Sequence, residues 1–205
     1  MNISTLVSLF SPQNNCLLNK GETRLSLPQM PITGNVDSAT KELFSDVTQI
    51  FGLNRSEKPG FGDSVARGLV VVHASVDNKA EEPLKQEGRV VCELTVTEEM
   101  LNGGGNIHGG CSAFLIDMCS TLSIMALTSK MNHVSQSLNI VYHSPATLGE
   151  KLRIVNTTMT VGARAMSART EACNRIVLRE SMLTEYVLAD LERYQAPFGR
   201  VRGAY

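Results

Sequence analysis

Tryptophan is absent from this 205-residue chain, aromatic residues make up only 5% of it, and 19 basic residues stand against 20 acidic ones without a basic run. A nucleic-acid binder needs a basic patch to meet phosphate and usually rings to stack on bases, so nucleic acid is not expected as a partner. Cysteine is sparse and unpatterned: Cys16, Cys92, Cys111, Cys119 and Cys173 are odd in number and lack any CxxC or Cys/His ligand spacing. That argues against a disulfide framework and a zinc site and fits a reducing compartment. No internal repeat or low-complexity tract is visible, and the length suits one domain.

Residues 1–37 are rich in Ser, Asn, Pro and Gly, with only Lys20, Glu22, Arg24 and Asp37 charged, which is the composition of a flexible tail. Ile3, Leu6, Val7 and Phe10 fall at helical spacing there. Scarce acidic residues keep a mitochondrial matrix location open beside a cytoplasmic one, although presequences are usually arginine-rich. Ala39, Leu43, Phe44, Val47 and Ile50 recur at three- and four-residue steps behind Asp37 or Ser38, predicting an amphipathic helix over 38–51. A loop follows at 54–63, marked by Pro59, Gly60 and Gly62. The period then changes to two. Residues 69–76 are strand-like and 77–88 turn-like; in 89–97, Val90, Cys92, Leu94 and Val96 alternate with Arg89, Glu93, Thr95 and Thr97, predicting one buried and one wet face.

The most distinctive stretch runs from Asn102 through a glycine-rich loop to His108, Gly109 and Gly110, then into an apolar segment to about residue 129 with one carboxylate, Asp117. The run 111–128 approaches membrane-spanning length, but Asp117, several hydroxyls and the lack of a flanking basic or aromatic belt make it a buried core helix, with no membrane span expected. A helix starting at Gly109 offers free N–H groups and the positive end of its dipole, suited to a phosphate or to a carbonyl gaining negative charge in acyl transfer. The loop lacks the spacing of a P-loop or a dinucleotide fingerprint, so the carbonyl is favoured. His108 and Asp117 are nine residues apart, about 13 Å of helical rise, and cannot meet within one chain. If both serve one site, a second, antiparallel copy of the helix supplies the carboxylate across a two-fold axis.

Each residue also has a plainer role. Asp117 in apolar surroundings suits a general base or nucleophile, or a structural carboxylate bonded to hydroxyls or backbone. His108 suits a cap, Gly103–Gly105 a turn, and Asn102 either a turn residue or a group orienting water. Ser135 is either structural or a partner for substrate, base or water. His73, His133 and His143 have no partner at useful spacing and read as structural.

Residues 135–142, 151–161 and 163–172 predict three more strands, pairing antiparallel with their sequence neighbours across 144–149 and a tight turn at Gly162. Ile176, Val177 and Leu178 suggest a short strand; Met182, Leu183, Tyr186, Val187, Leu191 and Tyr194 recur at helical spacing and predict a terminal helix. The expected class is α+β: a long central helix wrapped by a curved antiparallel sheet of five or six strands. The expected domain covers 38–185, with a C-terminal helix or tail at 186–205.

The pattern Asn102-x5-His108-Gly109-Gly110-x6-Asp117, followed by Val134-Ser135 and Tyr142-x2-Pro145-Ala146-x2-Gly149, resembles hotdog-fold acyl-CoA thioesterases of the phenylacetate-pathway and thioesterase-superfamily type, over roughly residues 68–172. The resemblance implies hydrolysis of an acyl-CoA to a free acid and coenzyme A, without metal or cofactor beyond the coenzyme A of the substrate. It implies a homodimer, sometimes a dimer of dimers. Asp117 of one subunit would act as base or nucleophile, and Gly109 N–H of the other would polarise the carbonyl. Asn102 and Ser135 would place water and carboxylate, with His108 holding the loop or lying near the leaving thiol. Substrate contacts are implied at Gly110, Ser137, Tyr142, His143, Ser144, Pro145, Ala146, Thr147, Gly162 and Arg164. Two departures stand out: the Gly162 turn carries Arg164 but no lysine where relatives often place basic residues, and 176–184 lacks the alternation of the family's long final strand. A non-catalytic hotdog dimer that binds acyl-CoA or a protein partner is the alternative. A hotdog dehydratase or hydratase fits less well, because its His/Asp site is arranged differently.

Overall fold

The computed structural model describes residues 31–53, 60–129, 133–163 and 165–174, and the backbone of 180–190. Asp37 accepts the Thr40 N–H at 2.7 Å and so starts α1 (Ser38–Phe44). The predicted 38–51 helix is in fact two. Asp46 takes both the N–H and the hydroxyl of Thr48, a side-chain alternative to the helical turn, and starts the one-turn α2 (Val47–Ile50). A short α3 (Asp63–Arg67) closes the loop that follows.

The expected tail ends earlier than residue 37. Thr33 exchanges backbone hydrogen bonds with Val72 and Ala74 at 3.1 and 2.9 Å, and the Asn35 amide brackets Val76, which fastens this segment to the sheet edge. Residues 1–30, with the presequence-like spacing, lie outside the described residues.

Six strands, β1 (Val70–Asn78), β2 (Gln86–Thr95), β3 (His133–Tyr142), β4 (Lys151–Val161), β5 (Ala165–Asn174) and β6 (Glu180–Asp190), form one antiparallel sheet in the order β1-β2-β4-β5-β6-β3. Two expectations fail here. Strands β3 and β4, adjacent in sequence, do not pair, because the chain between them is no hairpin: Ile107 N–H donates to Ala146 O and Gly149 N–H to Val96 O, so this link is tied to the segments before the central helix and after β2, and β5 and β6 lie between the two strands. The terminal helix is a strand through Asp190, paired with β5 on one side and β3 on the other. Two ladders satisfy its backbone, and that pairing outweighs local apolar spacing. The domain therefore extends past residue 185; residues 191–205 lie outside the described residues.

The central helix α4 (Gly109–Thr128) lies in the concave face of the sheet, chiefly against β2, β4 and β5. Leu115, Ile116, Met118, Cys119, Leu122 and Met125 are buried with Val90, Cys92, Leu94, Leu152 and Ile154. Each large aliphatic side chain buried this way contributes about 1.5–3 kcal/mol. Although α4 is long and apolar enough to cross a membrane, the sheet wraps it as a core helix. Close approach depends on small residues: a Cβ on Gly88 of β2 would lie 2.3 Å from the Ser123 carbonyl oxygen. The wet face expected of β2 is closed at Glu93, which is only 8% exposed and pairs with Lys151 and Arg153 at 3.0 Å each.

Candidate active site

The chain enters α4 through a turn built by Asn102, whose Oδ1 accepts the N–H groups of Gly104 at 2.8 Å and Asn106 at 3.3 Å. Gly105, at φ +75°, adopts the left-handed conformation this turn needs. His108 is the N-cap: its Nδ1 accepts the Gly110 N–H at 2.9 Å, while its own N–H is fixed on Met100 O at 2.7 Å. Within one chain, then, His108 and Asn102 shape the loop. Gly109 remains uncapped and lines a cavity of 390 Å³ with Asn102, Asn106, Ile107, Ser112, His143, Ser144, Pro145 and Ala146. Tyr142 shares that wall and donates its hydroxyl to Gly109 O at 3.0 Å.

Asp117 stands half-buried in the middle of α4, where the Ser135 hydroxyl donates to its Oδ1 at 2.8 Å. Of the roles left open for Ser135, the structure favours partnership with the carboxylate. Both line a second cavity, of 320 Å³, with apolar walls from Ile50, Phe51, Leu53, Phe114, Met118 and Met125. His133 lines it too. The strand begins two residues earlier than the expected 135–142, and its alternation places residues 133 and 135 on one side. Gly109 and Asp117 occupy separate cavities, in keeping with the rise between them.

Ser137 lies exposed on β3, just past the bulge between Ser135 and Ser137, and Thr147 is held by Glu150 at 3.1 Å outside the first cavity. Gly162 belongs to a third cavity, of 610 Å³, beyond the C-terminal end of α4; Arg164 lies outside the described residues. Lys79 and Lys85 line this cavity, with Lys79 donating to Met159 O and Lys85 paired with Glu82. Two lysines thus stand in the cavity that Gly162 lines although the turn itself offers none, and they come from the β1–β2 connection, which spacing along the chain could not reveal.

Neither thiol near the site is poised as a nucleophile. Burial, helped by Glu99, pushes Cys111 up to about 11, and the Cys119 thiol is raised by its hydrogen bond with Cys92 and by burial. Among the described residues, no group of three His, Cys, Asp or Glu side chains is placed to hold a metal.

A long helix held in a six-stranded antiparallel sheet of this order is the hotdog fold, and zebra fish thioesterase superfamily member 2 shares it, with a TM-score of 0.58 and 28% identity over 74% of this chain and 96% of that one. The Thioesterase superfamily profile matches residues 104–178. Mouse acyl-coenzyme A thioesterase 13 is 31% identical over 117 residues, 57% of this chain and 75% of the mouse protein. The chain belongs to the thioesterase superfamily. The human protein of the same name is 43% identical over 67 residues, 33% of this chain, so that match spans about half of the human protein, 48%.

Proposed function

We propose that the protein hydrolyses an acyl-CoA thioester to a free carboxylic acid and coenzyme A, at sites completed by a second copy of the chain. One observation carries this: the uncapped helix start at Gly109 and the Ser135-bound carboxylate of Asp117 line two separate cavities along one helix. Each is half of an acyl-transfer site, and an antiparallel second α4 would set one half against the other. Edge strand β3 supports such pairing, since it carries Val134, Leu138 and Val141, 37%, 37% and 47% exposed, on an edge that no other strand among the described residues covers. The names of the mouse and human relatives support acyl-CoA as substrate.

In this reading the thioester oxygen accepts the Gly109 N–H of the second copy, which stabilises the charge that develops there. Asp117 acts as general base: it takes a proton from water as the water oxygen attacks the carbonyl carbon. Collapse of the tetrahedral intermediate breaks the C–S bond, and the thiolate leaves with the proton returned by Asp117. Ser135 fixes the carboxylate, and Asn102 and His108 hold the loop presenting the N–H. Direct attack by Asp117, through an anhydride that water then opens, uses the same groups. No metal or redox cofactor enters the scheme. The cytoplasm is the proposed location, with the mitochondrial matrix as the alternative, and the dimer can pair again.

The test is thiol release from a panel of acyl-CoAs by the full chain and by Asp117→Asn. The wild type should turn over at least one of them, and the variant should lose on the order of 10²- to 10⁴-fold in kcat. Full activity in the variant would sink the mechanism, and binding without turnover by the wild type would favour the non-catalytic acyl-CoA-binding dimer.

A further inference from the structure

Ser112 is 1% exposed, and its hydroxyl has no hydrogen-bond partner among the described residues. Other hydroxyls of α4 behave differently: Ser120, Thr121, Ser123 and Thr128 each donate to a carbonyl three or four residues back. A buried hydroxyl without a partner is unfavourable, and such groups in folded proteins usually await one. What Ser112 faces is the 390 Å³ cavity that Gly109 also lines. The two are one turn apart, on the same face of the helix. Side chains on a helix lean toward its N-terminus, which directs Ser112 toward the turn that begins at Gly109, and Gly109 itself has no side chain, the nearest atoms to a Cβ there being those of the Tyr142 ring at 3.5–3.8 Å.

Three neighbouring polar groups are already engaged. Tyr142 donates to Gly109 O, the Asn102 carbonyl oxygen holds two backbone N–H groups, and the Gly110 N–H is capped by His108. A buried O–H and an uncapped N–H therefore face one space at the positive end of the helix, an arrangement that suits an acceptor oxygen gaining negative charge. Resting on the thioesterase reading, we propose that the Ser112 hydroxyl is a second donor to the thioester carbonyl oxygen, beside the Gly109 N–H. It donates a hydrogen bond and transfers no proton.

The experiment compares full-length wild type, Ser112→Ala and the near-isosteric Ser112→Cys for kcat, KM and Tm on an acyl-CoA that the wild type turns over. Loss of one such donor should lower kcat on the order of 10²-fold in Ser112→Ala with KM little changed. Tm should stay level or rise, because the variant removes a buried hydroxyl that lacked a partner in the free protein. Ser112→Cys, a weaker donor, should fall between, and it carries the test should the alanine variant not fold. An unchanged kcat overturns the proposal, whether or not Tm falls; so does a raised KM at unchanged kcat. A wild type inactive on every acyl-CoA would instead overturn the function proposed above.

Discussion

The two cavities along α4 differ in chemistry and in construction. The one at Gly109 offers donors, an N–H and the Ser112 hydroxyl, and is assembled from the turn before the helix and from residues 142–146. The one at Asp117 offers an acceptor carboxylate held by Ser135, and its walls are apolar side chains of α2, the residues after it, and α4. The first suits an oxygen on which charge builds, the second a water to be deprotonated beside an apolar group. About 12 Å of helix separates Gly109 from Asp117, so a single chain holds both kinds of cavity and brings them to no common point. The difference teaches that, on the function proposed above, the working unit is a pairing of unlike ends.

Mixing variants gives the sharpest way to break that comparison. Asp117→Asn damages one half and Gly109→Val the other, and each homodimer should be nearly inactive. Co-expressed in equal amounts, half of the dimers are mixed, and each mixed dimer carries one intact site of two, so roughly a quarter of wild-type activity should return. Activity that stays at the level of the separate variants would mean that both halves act within one chain.

The idea of two halves was legible before any coordinates, because it needs only the helical rise between His108 and Asp117. So were α4, β4, β5 and the Asp37 cap, where periodicity and punctuation agree. What failed depended on tertiary pairing. Met182, Leu183, Tyr186 and Val187 fall at helical spacing, yet their backbone is gripped by β3 and β5, and no local pattern reports ladders formed with residues 10 to 20 positions back in β5 and 40 to 50 back in β3. The break at Asp46 turned on one carboxylate choosing Thr48 over the helix. Ser112 was invisible for a different reason: a serine in a buried helix usually bonds its own backbone, and only the geometry shows that this one does not.

A smaller effect sharpens the carboxylate side. Ser135→Ala removes the hydroxyl that donates to Asp117 at 2.8 Å, and a hydrogen bond to a charged group of this kind corresponds to about tenfold in kcat. Asn139→Ala, further along the same strand and outside the cavity that Ser135 lines, serves as the control and should leave the rate unchanged. Steady-state kinetics of the pair would decide whether Ser135 serves the carboxylate or only the strand; equal rates for the two variants would remove it from the site.

The smallest effect belongs to Cys111, in the first turn of α4, and it tests how far that thiol is buried. A cysteine in the first turn of a helix is ordinarily made more acidic by the dipole. Here burial, with Glu99 adding to it, pushes the thiol up to about 11, the opposite direction. A raised value means that the neutral thiol persists through the physiological range and the thiolate becomes the main form only above that pH. Iodoacetamide should therefore label Cys111 far more slowly than a free thiol at about pH 8, with the rate climbing roughly tenfold per pH unit, and Cys111→Ala should change kcat by less than about twofold. Labelling at the rate of an exposed thiol would show that the first turn of α4 opens on the Cys111 side as well. Burial would then no longer account for the raised value, and the thiolate would be reached at a lower pH.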